Sequence, residues 1–308
     1  MYNRRLFEGA AEPAEVGVRP GISVCIIAFN EADRITECIQ SVAFCDEILV
    51  VDSGSNDGTV EIARDCGARV LHRAWTGYRS QKQFAADQAA HHYVLSIDAD
   101  ERVTPELRSE IESLRARGFP GHTGWSIPRL TEYCGQFLRH GNSSPDRTVR
   151  LFDRRVSFWA GYEVHEKIWT ENPVGKLNGH LEHFSYRNLD DHLQRMHRYA
   201  ALIADEMLKA GKHRGLGAVI INPLWRFLRG MILKRGFLDG WRGLAFHLIE
   251  ARYVREKYLR TWLASHSAAR TFVQTVQPDS NSTDEPPAVD DAGSGRRRAS
   301  TEMHRSTR

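Results

Sequence analysis

Apolar residues in the first half of the chain fall into short runs separated by segments at helical spacing. Ile22-Ser23-Val24-Cys25-Ile26-Ile27-Ala28 and Glu47-Ile48-Leu49-Val50-Val51 are β-branched, nearly unbroken runs that predict buried strands. Ala68-Arg69-Val70-Leu71 predicts a short third strand and Tyr93-Val94-Leu95-Ser96-Ile97 a fourth. Between them, Ile35, Cys38, Ile39 and Val42 recur as on one helix face, as do Val60, Ile62, Ala63 and Cys66. A third helix is expected from Ser80 to Ala90. Regular alternation of strands and helices predicts an α/β fold, a mostly parallel sheet covered on both faces.

The pattern loosens after a helix that Thr104-Pro105-Glu106 begins and that ends near Arg117-Gly118. Gly124–Arg129 and Arg150–Asp153 read as strands, with glycines and aromatics between them. From Leu189 to Ala210 the spacing is helical again, and Gly211 suits the stop. Gly217–Pro223 leads to a helix with Leu224, Phe227, Leu228, Met231 and Ile232 on one stripe. Gly236-Phe237-Leu238-Asp239-Gly240 makes a break, and Trp241, Leu244, Ala245, Leu248 and Ile249 start a last helix. Arg226, Arg229, Lys234, Arg235, Arg252, Arg255, Lys257 and Arg260 flank these stripes. Apolar stripes with basic flanks and tryptophans suit an anionic membrane surface; packing on the preceding domain is the alternative. Past Thr275 the chain is Pro, Ser, Asp, Gly and Arg, a composition without the means to bury a core. The organisation expected is a leader (1–20), a catalytic α/β domain (21–188), a helical region (189–265) and a disordered tail (275–308).

The 308 residues are ample for one large core, and a net charge of +3 gives no whole-chain bias toward nucleic acid. The basic helices do not change that expectation, because no nucleic-acid-binding fold or aromatic platform accompanies them. Five cysteines, an odd number without framework spacing, fit reduced thiols and a cytosolic setting. The N-terminus carries Arg4 and Arg5 but then Glu8, Glu12 and Glu15, so no signal peptide is expected. No uninterrupted apolar segment of bilayer-spanning length is expected either.

Candidate chemistry collects at the strand ends, where open α/β sheets bind their ligands. The first strand runs into Phe29-Asn30-Glu31, the second ends at Asp52, and the fourth ends in Asp98-Ala99-Asp100-Glu101. Alternation lets Asp98 and Asp100 converge at one tip with Glu101 on the other side. Paired carboxylates repel unless a cation or donors offset them, and Mg²⁺ or Mn²⁺ shared with substrate phosphates is a natural partner. An isolated D-x-D also reads as an acidic turn capping the following helix; the acidic residues at the other strand ends favour a phosphate-bearing ligand. Ser53-Gly54-Ser55-Asn56-Asp57-Gly58-Thr59 is a flexible loop, with Asp57 a candidate cap for the helix after it. Neither a P-loop nor a G-x-G-x-x-G follows a strand.

The segments Ile22–Glu31, Val51–Thr59 and Ser96–Glu101 resemble family 2 glycosyltransferases of the GT-A fold. Trp75-Thr76-Gly77-Tyr78-Arg79-Ser80-Gln81-Lys82-Gln83-Phe84-Ala85 resembles the bacterial branch that adds a glucose-like sugar to lipopolysaccharide inner core. Val164-His165-Glu166 and His183-Phe184-Ser185-Tyr186-Arg187 fit the same branch, and the similarity spans roughly residues 21–265.

That resemblance implies inverting transfer from a UDP-sugar, with UDP-glucose the expected donor and lipopolysaccharide inner core or a related lipid-linked glycan the acceptor. Phe29, Asn30 and Glu31 would line the nucleotide pocket and Asp52 would hold the base. Asp100 would bind the metal, and Asp98 would touch the ribose or share the metal. Lys82 would neutralise the diphosphate, unless it is an exposed surface lysine. Glu166 would be the general base with His165 as its orienter or substitute, and Glu163 is the competing carboxylate. His183, Tyr186 and Arg187 would belong to the pocket wall or a core network. Arg147, Arg150, Arg154 and Arg155 are either a basic cluster facing an acidic ligand or a solvated face. His180-Leu181-Glu182-His183 invites a zinc reading, but strand alternation places the two histidines on opposite faces and no further ligands stand at finger-like spacing. A lipid-linked acceptor would place the protein on the inner face of the cytoplasmic membrane. The rivals are a family 2 transferase acting on polyprenyl phosphate or capsule intermediates, and a nucleotide-sugar-binding protein without turnover.

Overall fold

A computed structural model describes residues 19–142, 144, 146–162 and 165–266, without the side chains of Tyr162 and His165. Most of the expected leader, the expected tail, Glu163 and the side chain of His165 lie outside the described residues.

β1 (Ile22–Ala28), β2 (Glu47–Asp52), β3 (Arg69–His72) and β4 (Tyr93–Asp98) form a parallel block in the order β3-β2-β1-β4. α1 (Ile35–Ser41), α2 (Thr59–Asp65) and α3 (Tyr78–Gln88) connect them. Successive side chains of a strand point to opposite faces, and β1 serves two cores in this way. Val24 and Ile26 pack with α1 and with Leu107 and Ile111 of the later helix α4 (Pro105–Ala116). Cys25 packs on the other face with Ala85 and Ala86 of α3 and with Phe152, Trp159 and Ile168. α4 begins where Thr104-Pro105 suggests, with the Thr104 hydroxyl accepting the Leu107 N–H. Asp57 accepts the N–H and hydroxyl of Thr59, while Gly58 itself occupies the cap position of α2 at φ 92°.

The sheet continues with mixed polarity. β5 (Glu101–Val103) lies at its far edge, and β6 (Gly124–Tyr133) with the short β7 (Gln136–Phe137) precedes β8 (Asp146–Asp153). β8 pairs antiparallel with both β4 and β6. β9 (Ser157–Tyr162) and β10 (His165–Thr170) form a separate hairpin. β11 (Val174–Lys176) and β12 (Leu181–His183) then add parallel to β6. The β6–β8 ladder is broken at one point. Trp125 pairs with Leu151 but Ser126 with Val149, so Arg150 is the extra residue of a β-bulge.

The C-terminal region is helical, as expected: α5 (Leu189–Lys209), α6 (Leu216–Leu228) and α7 (Gly240–Ala264). Asn188 caps α5 through the Asp191 N–H. α6 starts before Pro223 rather than after it, so the proline sits inside the helix, and five π-helical residues, Arg229–Leu233, come next. Proline at this position removes one intrahelical donor. Together Leu216–Leu233 are long and apolar enough to cross a membrane by length and composition, which corrects the expectation from the broken apolar run. A 3₁₀ turn at Gly236–Asp239 then brings α7 back along α6, with Arg226 against Glu250 and Gly230 against His247. Buried Asp239 accepts the backbone N–H of Arg139 and His140, fastening this turn to the α/β domain.

Candidate active site

β4 ends at Asp98, Ala99-Asp100 turns, and β5 starts at Glu101. The turn breaks the strand alternation, so Glu101 folds beneath the tip instead of projecting from the opposite face. It is fully buried, accepts the Asp98 N–H, and receives Arg150 at 2.7 Å and Arg129 at 3.0 Å. Asp98 and Asp100 both line a cleft of about 470 Å³ at the carboxyl ends of the strands.

Asp98 is surrounded by cations. Lys82 Nζ lies 3.0 Å from Oδ1, while Arg150 and Arg129 lie 3.2 and 3.9 Å from Oδ2. Burial alone raises a carboxyl pKa, but Lys82, Arg150 and Arg129 outweigh it and hold Asp98 far below the usual carboxylate range. Asp100 is lowered too: burial and Asp98 oppose ionisation, and His183 and Arg34 overcome them. His183 Nε2 is 3.2 Å from Asp100 Oδ2. Glu31 goes the other way, pushed up to about 8 by burial and by Asp100 against the pull of Arg34 and Arg187. Its Oε2 is 3.3 Å from Arg34 and 3.2 Å from Arg187.

Lys82 is buried, not a surface lysine, and its Nζ also reaches Glu166 Oε1 at 2.9 Å. α3 thus carries one ammonium between the strand-end carboxylate and the β10 carboxylate. The Lys82 ammonium also stands 5.1 Å from the Trp159 ring centroid. The four arginines of the proposed basic cluster separate. Arg150 turns inward at its bulge, Arg147 donates to the carbonyls of Ser126 and Leu177, Arg154 to His91, and Arg155 pairs with Asp153.

Phe29 and Glu31 line the cleft; Asn30 stands behind them at φ 55°, its side-chain oxygen accepting the Asn56 N–H. Asp52 is buried and turned into its own loop, accepting the N–H of Gly54 at 2.8 Å and of Ser55 at 3.0 Å, and its neighbour Ser53 lines the cleft. His183 and Tyr186 line the cleft, whereas Arg187 clamps Asp33 and Glu31 outside it. The opposite wall comes from the C-terminal helices: Arg195 and Tyr199 of α5, Glu250 and Tyr253 of α7. Sequence reading missed this wall, and it missed Arg34 and Arg129, because their contacts depend on non-local packing.

The donors present suit a hard divalent ion. Asp100 and His183 offer an oxygen and an imidazole nitrogen side by side, with Asp98 close behind. Among the described residues no cluster of three such ligands is preassembled, so an ion held here would need to take its remaining positions from a substrate and water. Arg129, on the same wall, keeps its Nε–H buried without a partner, a donor suited to an anion.

A family profile described as glycosyl transferase family 2 matches residues 23–118. The lipopolysaccharide core biosynthesis glycosyltransferase LpsC of Rhizobium meliloti is 31% identical over 251 residues, covering 77% of this chain and 93% of LpsC. A glycosyltransferase of Rickettsia typhi, described as uncharacterized, is 31% identical over 252 residues, covering 78% of this chain and 86% of its own. Among solved structures, S. aureus TarS 1-349 in complex with UDP-GlcNAc aligns at 16% identity and a TM-score of 0.40, over 80% of this chain and 92% of that one.

Proposed function

This chain belongs to the family 2 glycosyltransferases, and from that premise we propose that it is an inverting, divalent-metal-dependent hexosyltransferase. Its donor is a UDP-sugar, UDP-glucose by the resemblance of its Trp75–Ala85 segment. Its acceptor is lipopolysaccharide inner core or a related lipid-linked glycan, which the identity to LpsC over most of both chains supports. Such an acceptor sets the enzyme to work at the inner face of the cytoplasmic membrane.

The observation that carries this reading is the Asp98–Lys82–Glu166 line. It puts a carboxylate suited to a general base within one ammonium's reach of the D-x-D tip. In a single displacement the acceptor hydroxyl oxygen bonds to the anomeric carbon while the bond from that carbon to the UDP oxygen breaks. Glu166 takes the hydroxyl proton, and the electron pair leaves with UDP. Asp100 and His183 would hold the divalent ion, which when bound neutralises the diphosphate. Asp98 reaches the ribose or shares that ion. Phe29, Asn30 and Glu31 flank the nucleotide, and Asp52 holds the base, its loop hydrogen bonds having fixed the carboxylate in place. Lys82 and Arg129 face the diphosphate from the sheet side.

A panel of nucleotide-sugars, read by UDP release with and without EDTA, tests donor and metal together. Product mass from core oligosaccharide against polyprenyl phosphate tests the acceptor. UDP release that is indifferent to EDTA, or transfer only to polyprenyl phosphate, would replace the corresponding half of the proposal.

A further inference from the structure

A run of uncovered apolar side chains lies along the α6–α7 pair. Ile221, Leu224, Trp225, Leu233, Phe237 and Trp241 are each more than half exposed. A contiguous apolar patch of this kind on a folded chain marks an interaction surface. Its charge says with what. Between Gly211 and Ile249 the only acidic residue is Asp239, and it is buried against the loop at Arg139-His140. Arg214, Arg229, Lys234 and Arg235 are all exposed along the same stretch. A second copy would bring like charges face to face, whereas an anionic leaflet complements them.

The same charges set the depth. Leu216–Leu233 reach about 27 Å at 1.5 Å per residue, enough to cross a hydrocarbon core. Crossing would draw Arg226 and Arg229 into that core, which is costly, and α7 folds back along α6 through the Arg226–Glu250 pair. A pair of helices with an apolar outer side and a cationic rim lies in the interface plane instead.

We propose that the α6–α7 pair is a wedge that inserts sideways into one leaflet of an anionic phospholipid membrane, with Trp225 and Trp241 among the acyl chains and Arg229, Lys234 and Arg235 at phosphate level. The inference rests on the transferase reading only for which leaflet is used. It adds a consequence for the cleft. Trp241 and Leu244 of α7 face outward, and Glu250 and Tyr253, further along the same rod, line the cleft. The bound enzyme therefore presents its cleft beside the leaflet that carries a lipid-anchored acceptor.

Flotation of the full chain with phosphatidylcholine vesicles holding about one-third phosphatidylglycerol, at low and high salt, tests this. The wild type is expected to float with these vesicles at low salt and to stay behind with pure phosphatidylcholine. Leu224→Glu with Leu233→Glu should cut association by about tenfold or more with an unchanged melting temperature. Arg229→Glu with Lys234→Glu and Arg235→Glu should remove the preference for anionic lipid. Trp225 and Trp241 fluorescence should be quenched by brominated acyl chains. A wild type that stays behind, a double-glutamate variant that floats like the wild type, or a stable dimer whose tryptophans brominated lipid fails to quench would overturn the wedge. No nucleotide-sugar enters these measurements, so they fail independently of UDP release.

Discussion

Lys82 Nζ and Glu166 Oε1 lie 2.9 Å apart, joining helix α3 to strand β10 over a sequence separation of 84 residues. The pair stations the only described carboxylate of the Gly161–Ile168 stretch beside the strand-end aspartates. If Glu166 removes the acceptor proton, Glu166→Gln keeps the shape and loses the basicity. Transfer is expected to fall by about a hundredfold or more, with UDP-sugar binding retained in calorimetry. Near-normal turnover would take Glu166 out of the role.

Lys82 itself stands between two carboxylates with a side chain 6% exposed. Lys82→Met keeps the stem and deletes the charge, leaving Asp98 and Glu166 without their shared donor. Removing one partner of a buried pair costs roughly 3 kcal/mol, and urea unfolding should report a loss of that order. Donor affinity should drop in the same variant, since the diphosphate loses a cation.

Asp100 and His183, the proposed metal pair, lie 3.2 Å apart. Asp100→Asn should leave the fold intact and abolish sugar donation. His183→Ala should raise the Mn²⁺ concentration for half-maximal UDP release by about tenfold or more. Chelation with EDTA should silence the wild type, and restoring Mn²⁺ should recover it. Unchanged Mn²⁺ dependence in His183→Ala would leave the imidazole a mere wall residue.

His192, which lines the cleft from α5, supplies a pH signature in stability. It is buried among Tyr133, Tyr186 and Phe246, and its pKa falls to about 4, by burial first, with Arg195 adding to it and Glu250 and Asp191 opposing. In the unfolded chain it titrates near 6.5, so between these values the unfolded state binds more protons. Stability from this site is therefore complete above pH 6.5 and lost as pH falls toward 4, by roughly 3 kcal/mol. His192→Phe should flatten the melting temperature across that window. An unaltered slope would assign the pH dependence to other groups.

His247 sits in a glycine cage. A Cβ on Gly230 would meet Asn142 Nδ2 at 2.5 Å and the His247 ring at 2.9 Å, and Cβ atoms on Gly141 and Gly236 would also meet that ring. Gly230→Ala should destabilise by about 1–3 kcal/mol from overpacking. In a His247→Ala background the same change should lose only the share of its cost due to the imidazole, the Asn142 contact remaining, a partial coupling that a double-mutant cycle reads directly.

The parallel block was legible because each of its strands is an apolar run ending in polar residues, and the helices between show one apolar stripe apiece. The D-x-D tip and the convergence of Phe29, Glu31 and Asp98 on one edge follow from strand ends alone. What the letters concealed is what depends on count or distance. The Ala99-Asp100 turn puts Glu101 under the tip, where alternation points it away. Arg150 looks like one of four surface arginines until the register with β6 slips by one. The wall of α5 and α7 has no local sign, since Arg195, Glu250 and Tyr253 read as ordinary helix surface. Apolar exposure on α6 was legible as a stripe, yet Pro223 hid how early that helix begins.

The slip at Arg150 carries a rule about length. Because a pleat repeats every two residues, excising a single residue between Arg147 and Leu151 would rephase the strand and swing its guanidinium away from Asp98 and Glu101. Exchanges of identity on the outward side of β8 leave that geometry alone. Frame-preserving deletions do not, so this stretch should tolerate misspelling far better than shortening.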